Sequence, residues 1–366
     1  MLLAAVFFGL FFSICVAILV WPRPRDPRRG PLRTGRPRVS ILVAARNEEV
    51  SIERCLRALA NLNYPAGRLE ILIADDNSTD NTAAVVRAFI KDKPQFRLLS
   101  IQHRLSSIKG KTNALAHLCR AATTDYFLFT DADMAMPPDW VTAMLAAATS
   151  GVGVVTGITT AEGSLFGRLQ GLDWLFGLNL ISLLAAHGLP TTAVGNNMLV
   201  TRAAYTAIGG FEGMDFRTNE DLQLFQHVVA HGWDFRNLSS PAVLGVSEPQ
   251  PTVTALLEQR KRWMKGAIRL PWYLTGLFGL YGVFYTVLFW PGLLSLTTLT
   301  MLYGGKVLLQ TLFLASTLRR VGRREQLGVL LLYEPYLCVM SVMVLAYTLW
   351  PGPVEWKQRR YAWAEA

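Results

Sequence analysis

Charge is scarce in this sequence. Asp, Glu, Lys and Arg make up 17% of its 366 residues, where soluble domains carry about 25%. With 51% hydrophobic residues and a mean hydropathy of +0.28, that scarcity argues against a wholly soluble chain. The same apolar content excludes disorder. Cysteine is rarer still. Cys15, Cys55, Cys119 and Cys338 are dispersed without any Cys-x-x-Cys spacing, so they suit neither a zinc site nor a disulfide framework and read as small buried hydrophobes. No GxxxxGK[ST] stretch occurs, which excludes a P-loop. The first apolar run has no basic start and no small-residue cleavage site, so it is expected to be an uncleaved anchor and not a secretory signal.

What charge there is sums to +10, a balance that would ordinarily raise nucleic acid as a partner. Its position along the chain decides otherwise. Residues 22–38 hold seven Arg against Asp26, and residues 258–366 hold 13 basic against 5 acidic side chains. The long block between them, residues 39–257, has 16 basic and 20 acidic side chains. The folded block is therefore mildly acidic and lacks basic–aromatic interleaving, which removes nucleic acid as a partner.

The basic flanks border apolar runs. Residues 1–21 carry no charge and are long enough to cross roughly 30 Å of hydrocarbon. By the positive-inside rule the Arg-rich linker is expected in the cytoplasm, with the N-terminus outside. The linker is also expected to be drawn to anionic lipid headgroups. From 270 to 318 the only charge is Lys306, and from 326 to 354 the only charge is Glu334. The first run suits two spans, breaking near Trp290-Pro291-Gly292 or at Gly304-Gly305, and the second suits one. Three spans would leave Lys357, Arg359 and Arg360 outside, against the same rule. A re-entrant turn at Tyr333-Glu334-Pro335 or a different span count would restore it. The expected organisation is an N-terminal transmembrane helix over 1–21, a basic linker over 22–38, a catalytic domain over 39–252, and an interfacial helix over 253–269. A transmembrane region of about three spans over 270–354 and a basic tail over 355–366 complete it.

The middle block alternates strands and helices. Residues 39–45 are a continuous apolar run ending in Arg46-Asn47-Glu48, as a buried parallel strand would. Ile52, Leu56 and Leu59 then recur at helical spacing. Strands are expected at 70–74, 97–101 and 126–130, and helices near 82–90, 112–122 and 221–230. This order means an α/β fold with a mostly parallel sheet. Ligands bind such sheets at the carboxyl ends of the strands, and three of these four strands end in a carboxylate-bearing loop.

Asp131-x-Asp133 is the most informative of those loops. Two carboxylates so spaced past a strand end suit a hard divalent cation, Mg²⁺ or Mn²⁺, with positions left for phosphate. Met134-x-x-Pro137-Pro138 is expected to open the next helix. At Asp75-Asp76, one expectation is a structural N-cap by Asp76 or Ser78, and the other is hydrogen bonding to a nucleobase or ribose. Lys109 and Lys111 are candidates to neutralise phosphate. Glu220-Asp221 opens a helix, where acidic residues are favoured by the dipole alone. Gln259-Arg260-Lys261-Arg262-Trp263 precedes the second membrane region, where basic and aromatic residues are common anchors.

In this order the motifs resemble a membrane-integrated family 2 glycosyltransferase. The resemblance rests on Val39-Ser40-Ile41 to Asn47-Glu48, the 75–80 turn, Asp131-x-Asp133, Glu220-Asp221 and Gln259-x-x-Arg262-Trp263. Gly195-Asn196-Asn197 and Gly209-Gly210-Phe211 also fit. The flanking spans resemble the subset that includes ceramide and carotenoid glycosyltransferases and cellulose and hyaluronan synthases. The resemblance implies a GT-A (nucleotide-diphospho-sugar transferase) fold with N- and C-terminal transmembrane helices, a nucleotide-sugar donor (most often UDP-linked), a divalent metal and inversion at the anomeric carbon. It implies that Asp75 and Asp76 contact uracil and ribose, that Asn47, Glu48, Lys111 and Asp131 bind the nucleotide-sugar, and that Asp133 ligates the metal. Asp221 would be the general base, Gln259 and Arg262 would hold the diphosphate, and Glu220 and Trp263 would border the acceptor.

Residues 164–189 carry only Arg168 and Asp173 as charges. They suit either an interfacial helix facing lipid or an ordinary buried helix. The few spans leave little room for a polymer channel, so a single transfer to a membrane lipid alcohol is expected. The alternatives are a processive polysaccharide synthase and a catalytically silent, membrane-tethered scaffold. The enzyme is expected at the cell (inner) membrane with its catalytic domain in the cytoplasm.

Overall fold

The computed structural model describes residues 2–22, 35–106, 108–214, 219–267, 269–350, 352, 354–356 and 359–361. Most of the Arg-rich linker, Lys357 and the final residues lie outside the described residues. An N-terminal helix α1 (Leu2–Val20) is followed by β1 (Val39–Ala45), α2 (Ile52–Ala60), β2 (Leu69–Asp75), α3 (Thr82–Ile90), β3 (Phe96–Ser100), α4 (Gly110–Ala121) and β4 (Tyr126–Asp131). Then come β5 (Met134–Ala135), α5 (Trp140–Ala147), β6 (Val152–Thr156), β7 (Ile158–Ala161), α6 (Leu165–Ala186), β8 (Asn197–Thr201) and α7 (Arg202–Ala207). The rest is α8 (Glu220–Ala230), β9 (Asp234–Asn237), β10 (Leu244–Ser247), α9 (Val253–Ala267), α10 (Trp272–Leu288), α11 (Leu296–Arg320) and α12 (Leu330–Leu349).

Seven strands form the main sheet in the order β3-β2-β1-β4-β8-β6-β9. The pairs among β3, β2, β1 and β4 are parallel, and β8 runs antiparallel to both neighbours. Strand β1 is apolar almost throughout because helices cover both of its faces, the usual state of a parallel strand. Ile41 and Val43 face one core with Ile52, Leu56 and Leu59 of α2, while Leu42 faces a second core with Leu115 and Leu118 of α4. Register aligns the functional ends. Ala45 pairs with Asp75, and Ala44 pairs with Asp131, so the carboxyl ends of three strands reach one edge together.

A second sheet has the order β5-β10-β7. Its strands have two to four residues, too short for sequence periodicity to reveal. Asn197 ties the two sheets. Its buried amide donates to the carbonyls of Ile158 (3.0 Å) and Val243 (2.8 Å) and accepts from Trp140 Nε1 at 2.9 Å. Helix α5 begins at Trp140, later than the Pro137-Pro138 pair suggests. Met134 and Ala135 are drawn first into the second sheet by pairing with β10.

Among the described residues, four helices are long and apolar enough to cross a membrane: α1, α6, α11, and α12 with the turn before it; α10 is a shorter apolar helix. Helix α6 is mostly buried inside the protein. Leu172, Leu175 and Leu178 belong to the main core, and Asn179 donates to Thr317 of α11. Residues 165–186 are thus a buried helix and not an interfacial one. The others expose large side chains, among them Leu3 (86%), Leu331 (83%) and Leu296 (79%), surfaces suited to hydrocarbon and a liability in water. The break between α10 and α11 falls at Trp290-Pro291-Gly292, and Gly304-Gly305 lies inside α11. Helix α12 continues through Pro335, so Tyr333-Glu334-Pro335 makes no re-entrant turn. Inside this bundle Lys306 pairs with Glu334, which also accepts from Tyr285 and Gln310. Such pairing is what allows a charge at this depth.

Asn197→Ala would leave one buried donor and two carbonyls unpaired, a cost of about 2–4 kcal/mol. The apparent melting temperature in detergent should fall by about 5–10 °C. An unchanged melting curve would show that this knot does not hold the sheets together.

Candidate functional site

The loops after β1 and β2 interlock where their strands end. Arg46 donates to the carbonyls of Asp76 and Asn77, each at 2.7 Å. Asn47 Oδ1 accepts from Thr79 N at 2.9 Å, and the backbone N–H of Glu48 donates to Thr82 Oγ1 at 2.7 Å. Asn47 and Asn77 take left-handed backbone conformations, which Asn tolerates better than most residues. Asp75 Oδ1 accepts from Ser78 N at 3.2 Å, closing the turn, while Asp76 is buried. Helix α3 starts later, at Thr82, whose N–H donates to Asp80. Neither Asp76 nor Ser78 is therefore its N-cap.

Beside this pair of loops lies the Asp131-x-Asp133 turn. Lys111, in the first turn of α4, places its ammonium 2.6 Å from Asp131 and 3.2 Å from Glu220. One cation thereby joins the end of β4 to the start of α8. Burial works against a charged Lys111, but Asp131, Glu220 and Asp221 outweigh it and hold its pKa above the ordinary lysine value. Lys109 is exposed. Asp133 accepts from Ser247 Oγ at 3.2 Å. Burial, with Asp131 and Glu48 nearby, pushes the Asp133 pKa up to about 7. Arg54 braces the turn from behind, donating to the carbonyls of Asp133 (2.9 Å) and Val246 (2.8 Å) and pairing with Glu248 at 3.0 Å.

Asp221 stands on the other side of Lys111. Its carboxylate accepts from Gly195 N at 2.7 Å and from Leu222 N at 2.8 Å. Burial and Glu220 push its pKa up to about 6, against the pull of the Gly195 N–H, Lys111 and the Leu222 N–H. A carboxylate so placed stays ionised near neutrality yet is more basic than an exposed one.

Helix α9 closes the site from below. A Cβ on Gly266 would overlap Asn219 just before α8, and Gln226 of α8 donates to the carbonyl of Arg269 at 2.8 Å. Gln259, Arg262 and Gly266 fall on one face at helical spacing, so the first two share the face that meets α8. Arg260 and Lys261 point elsewhere, to Asp173 (2.9 Å) and to the carbonyl of Trp350 (2.8 Å). Trp263 packs edge-on against Trp174 of α6, with ring centroids 4.6 Å apart.

The fold thus gathers Asn47, Glu48, Asp75, Asp76, Lys111, Asp131, Asp133, Glu220 and Asp221 along one sheet edge. Gln259, Arg262 and Trp263 sit on the adjoining helix. Sequence reasoning gave no role to Ser247, Arg54 or Gly195. The Gly195-Asn196-Asn197 triplet was a signal for the last, whereas Ser247 and Arg54 reach Asp133 through pairings that no local motif shows.

The family model for glycosyl transferase family 21 matches residues 1–365. Beta-monoglucosyldiacylglycerol synthase of Synechocystis is 30% identical over 234 residues, 63% of this chain and 48% of that protein. Poly-beta-1,6-N-acetyl-D-glucosamine synthase of Staphylococcus epidermidis is 27% identical over 233 residues, 62% of this chain and 54% of that protein. The chain therefore spans about half the length of these curated relatives. A mannosyltransferase of Pyrobaculum calidifontis, solved in complex with GDP-Man and Mn2+, aligns over 95% of this chain and 96% of its own. Its TM-score is 0.59 at 20% identity, a likeness of fold that bears out the GT-A architecture.

A side chain at position 195 would crowd Asp221, whose Cβ lies 3.0 Å from where a Cβ would be. Gly195→Val should therefore displace the Asp221 carboxylate and weaken its bond from the Gly195 N–H, which lowers the Asp221 pKa, so the Asp221 carboxyl should titrate at higher pH by NMR while the circular dichroism spectrum stays unchanged. An unmoved titration would show that the Gly195–Asp221 contact is dispensable.

Proposed function

The chain belongs to glycosyl transferase family 21, and from that premise we propose that it moves a hexose from a nucleotide-sugar to the hydroxyl of a membrane lipid, once per acceptor, with inversion. The observation that carries this reading is the Lys111 bridge. It sets the Asp131-x-Asp133 turn and the Glu220-Asp221 pair on opposite sides of one ammonium, beside helices with hydrocarbon-facing surfaces. Two acidic motifs suited to a donor site and a base thus meet at one cation, in a chain whose terminal helices are apolar enough to cross a membrane.

In the proposed reaction the acceptor oxygen attacks the anomeric carbon while Asp221 takes its proton. The bond from that carbon to the diphosphate oxygen breaks, and the nucleoside diphosphate leaves with the electron pair. One displacement on one base inverts the centre. Asp75 and Asp76 would meet uracil and ribose at the loop pair that Asn47 and Glu48 help to build. Gln259 and Arg262 would hold the diphosphate, and Glu220 and Trp263 would border the acceptor. Burial, then the charges of Asp131 and Glu48, raise the Asp133 pKa, and the hard oxygens of Asp131 and Asp133 suit a divalent cation that would relieve that charge, although no group of three such ligands is gathered among the described residues. Mg²⁺ or Mn²⁺ held there by Asp133, with Asp131, would supply neutralising charge to the departing diphosphate.

Arg323, in the turn between α11 and α12, pairs with Glu162 of the catalytic domain at 2.8 Å. That contact supports placing the Arg319–Arg324 stretch and the domain on the same, cytoplasmic, face of the cell membrane, with the N-terminus outside and the Arg-rich linker near anionic headgroups. The relative named for glucosyldiacylglycerol supports a lipid acceptor. The relative named for poly-N-acetylglucosamine keeps polymer synthesis as the competing outcome. Membranes containing the protein, given labelled UDP-glucose and diacylglycerol, should yield a glycolipid. Long polymer would overturn the acceptor, and no product with any nucleotide-sugar would favour a silent scaffold.

Asp221 must be ionised to accept a proton. Transfer is therefore lost as pH falls through about 6, and log kcat/KM should rise with unit slope below that point and level off above it. Asp221→Asn should cut transfer by about 10²–10⁴-fold yet spare nucleotide-sugar binding by calorimetry. Lys111 lowers the Asp221 pKa, so Lys111→Met should move the acid limb to higher pH. An unmoved limb would detach Lys111 from the base.

A further inference from the structure

A cavity of about 100 Å³ lies among α1, α6, α10 and α11, away from the carboxylate edge. Ile18, Phe176, Leu277, Leu309 and Phe313 contribute to its walls, and at Phe278, which is 42% exposed, it borders the outer surface of the bundle. Tyr281, Lys306 and Gln310 also line it, but their polar atoms are spent on one another and on the helix behind. Tyr281 donates to Gln310, Gln310 donates to Glu334 at 2.8 Å, and Lys306 is bound by Glu334 and by Tyr285 at 2.6 Å. The space therefore presents hydrocarbon. A polar ligand would leave its own groups unpaired there, whereas an alkyl chain would fit at no such cost.

The cavity is also connected to the reaction site through one element. Phe176 and Leu180 of α6 line it, and Trp174 of the same helix packs on Trp263. From Trp174 to Leu180 is about 9 Å along a helix axis, a few methylenes of an extended chain. We propose that this cavity holds an alkyl chain of the lipid acceptor, so that anchoring the chain there presents the headgroup hydroxyl near Trp263. This rests on the lipid-acceptor reading above.

The test uses the full chain in phospholipid nanodiscs with long-chain and short-chain diacylglycerol as acceptors. Leu277→Trp and, from another wall, Leu309→Trp should each raise KM for the long-chain acceptor at least about ten-fold, the loss of roughly two buried methylenes. KM for the short-chain acceptor and for the nucleotide-sugar should not move. An unchanged long-chain KM, or equal changes for both acceptors, overturns the proposal. Independently of any variant, a long-chain diacylglycerol carrying a diazirine near the chain end should label α10 or α11 of the wild-type protein, and excess unlabelled lipid should displace it. Labelling confined to other segments overturns the chain site. A wild-type protein that glycosylates no lipid overturns the acceptor reading instead, and the labelling pattern still decides whether the cavity takes an alkyl chain.

Discussion

One ammonium makes a single site out of two acidic motifs. Lys111 sits in the first turn of α4, where the helix dipole disfavours a cation. Nothing about the stability of α4 calls for a lysine there. Its position is explained by Asp131 and Glu220, which come from distant parts of the chain and would otherwise repel each other and Asp221. The bridge in turn needs the register that sets Ala44 opposite Asp131, since a shift of one residue would turn the carboxylate to the other face of the sheet. The parallel strands, the start of α4 and the start of α8 are thus mutually constrained through one side chain.

Much of this was legible before any coordinates. Strands β1 and β4 are nearly continuous apolar runs closed by polar turns, β2 and β3 interrupt theirs with Glu70 and Arg97, and the observed ends of all four differ from the expected ones by at most a residue. The acidic pairs were legible because each follows a strand or opens a helix. Other parts were hidden for physical reasons. The second sheet is assembled from strands of two to four residues whose partners lie far away in sequence, so Ser247 reaches Asp133 by a route no periodicity reports. Helix α6 is equally apolar whether its neighbour is lipid or protein, and only tertiary packing distinguishes the two. The N-cap expected at Asp76 or Ser78 failed because the turn runs on to Asp80 and Thr82 before the helix begins.

Helix α9 shows how one short segment serves several neighbours. Its basic cluster looks like a simple interfacial anchor, yet successive residues point in different directions. Arg260 is held by Asp173, which also accepts from Tyr333 at 3.0 Å, and Lys261 reaches the end of α12. Gln259 and Arg262 are left on the side of the Glu220-Asp221 helix. At that contact the Asn219 side chain lies where a side chain on Gly266 would stand, so the close approach of α9 to the start of α8 relies on glycine at 266 while Asn219 keeps this rotamer.

Helix α6 belongs to two environments at once. Leu169, Leu172, Leu175, Leu178 and Ile181 on one side belong to the main core, and Leu180 and Leu184 pack against the apolar helices α10 and α11. A rigid rod shared in this way cannot tilt for one neighbour without tilting for the other. Membrane helices respond to bilayer thickness by tilting, and here that response has a mechanical path to Trp174 and Trp263. On the lipid-acceptor proposal, the bilayer is therefore not only the reservoir of acceptor but part of the frame that sets Trp263 beside the carboxylates.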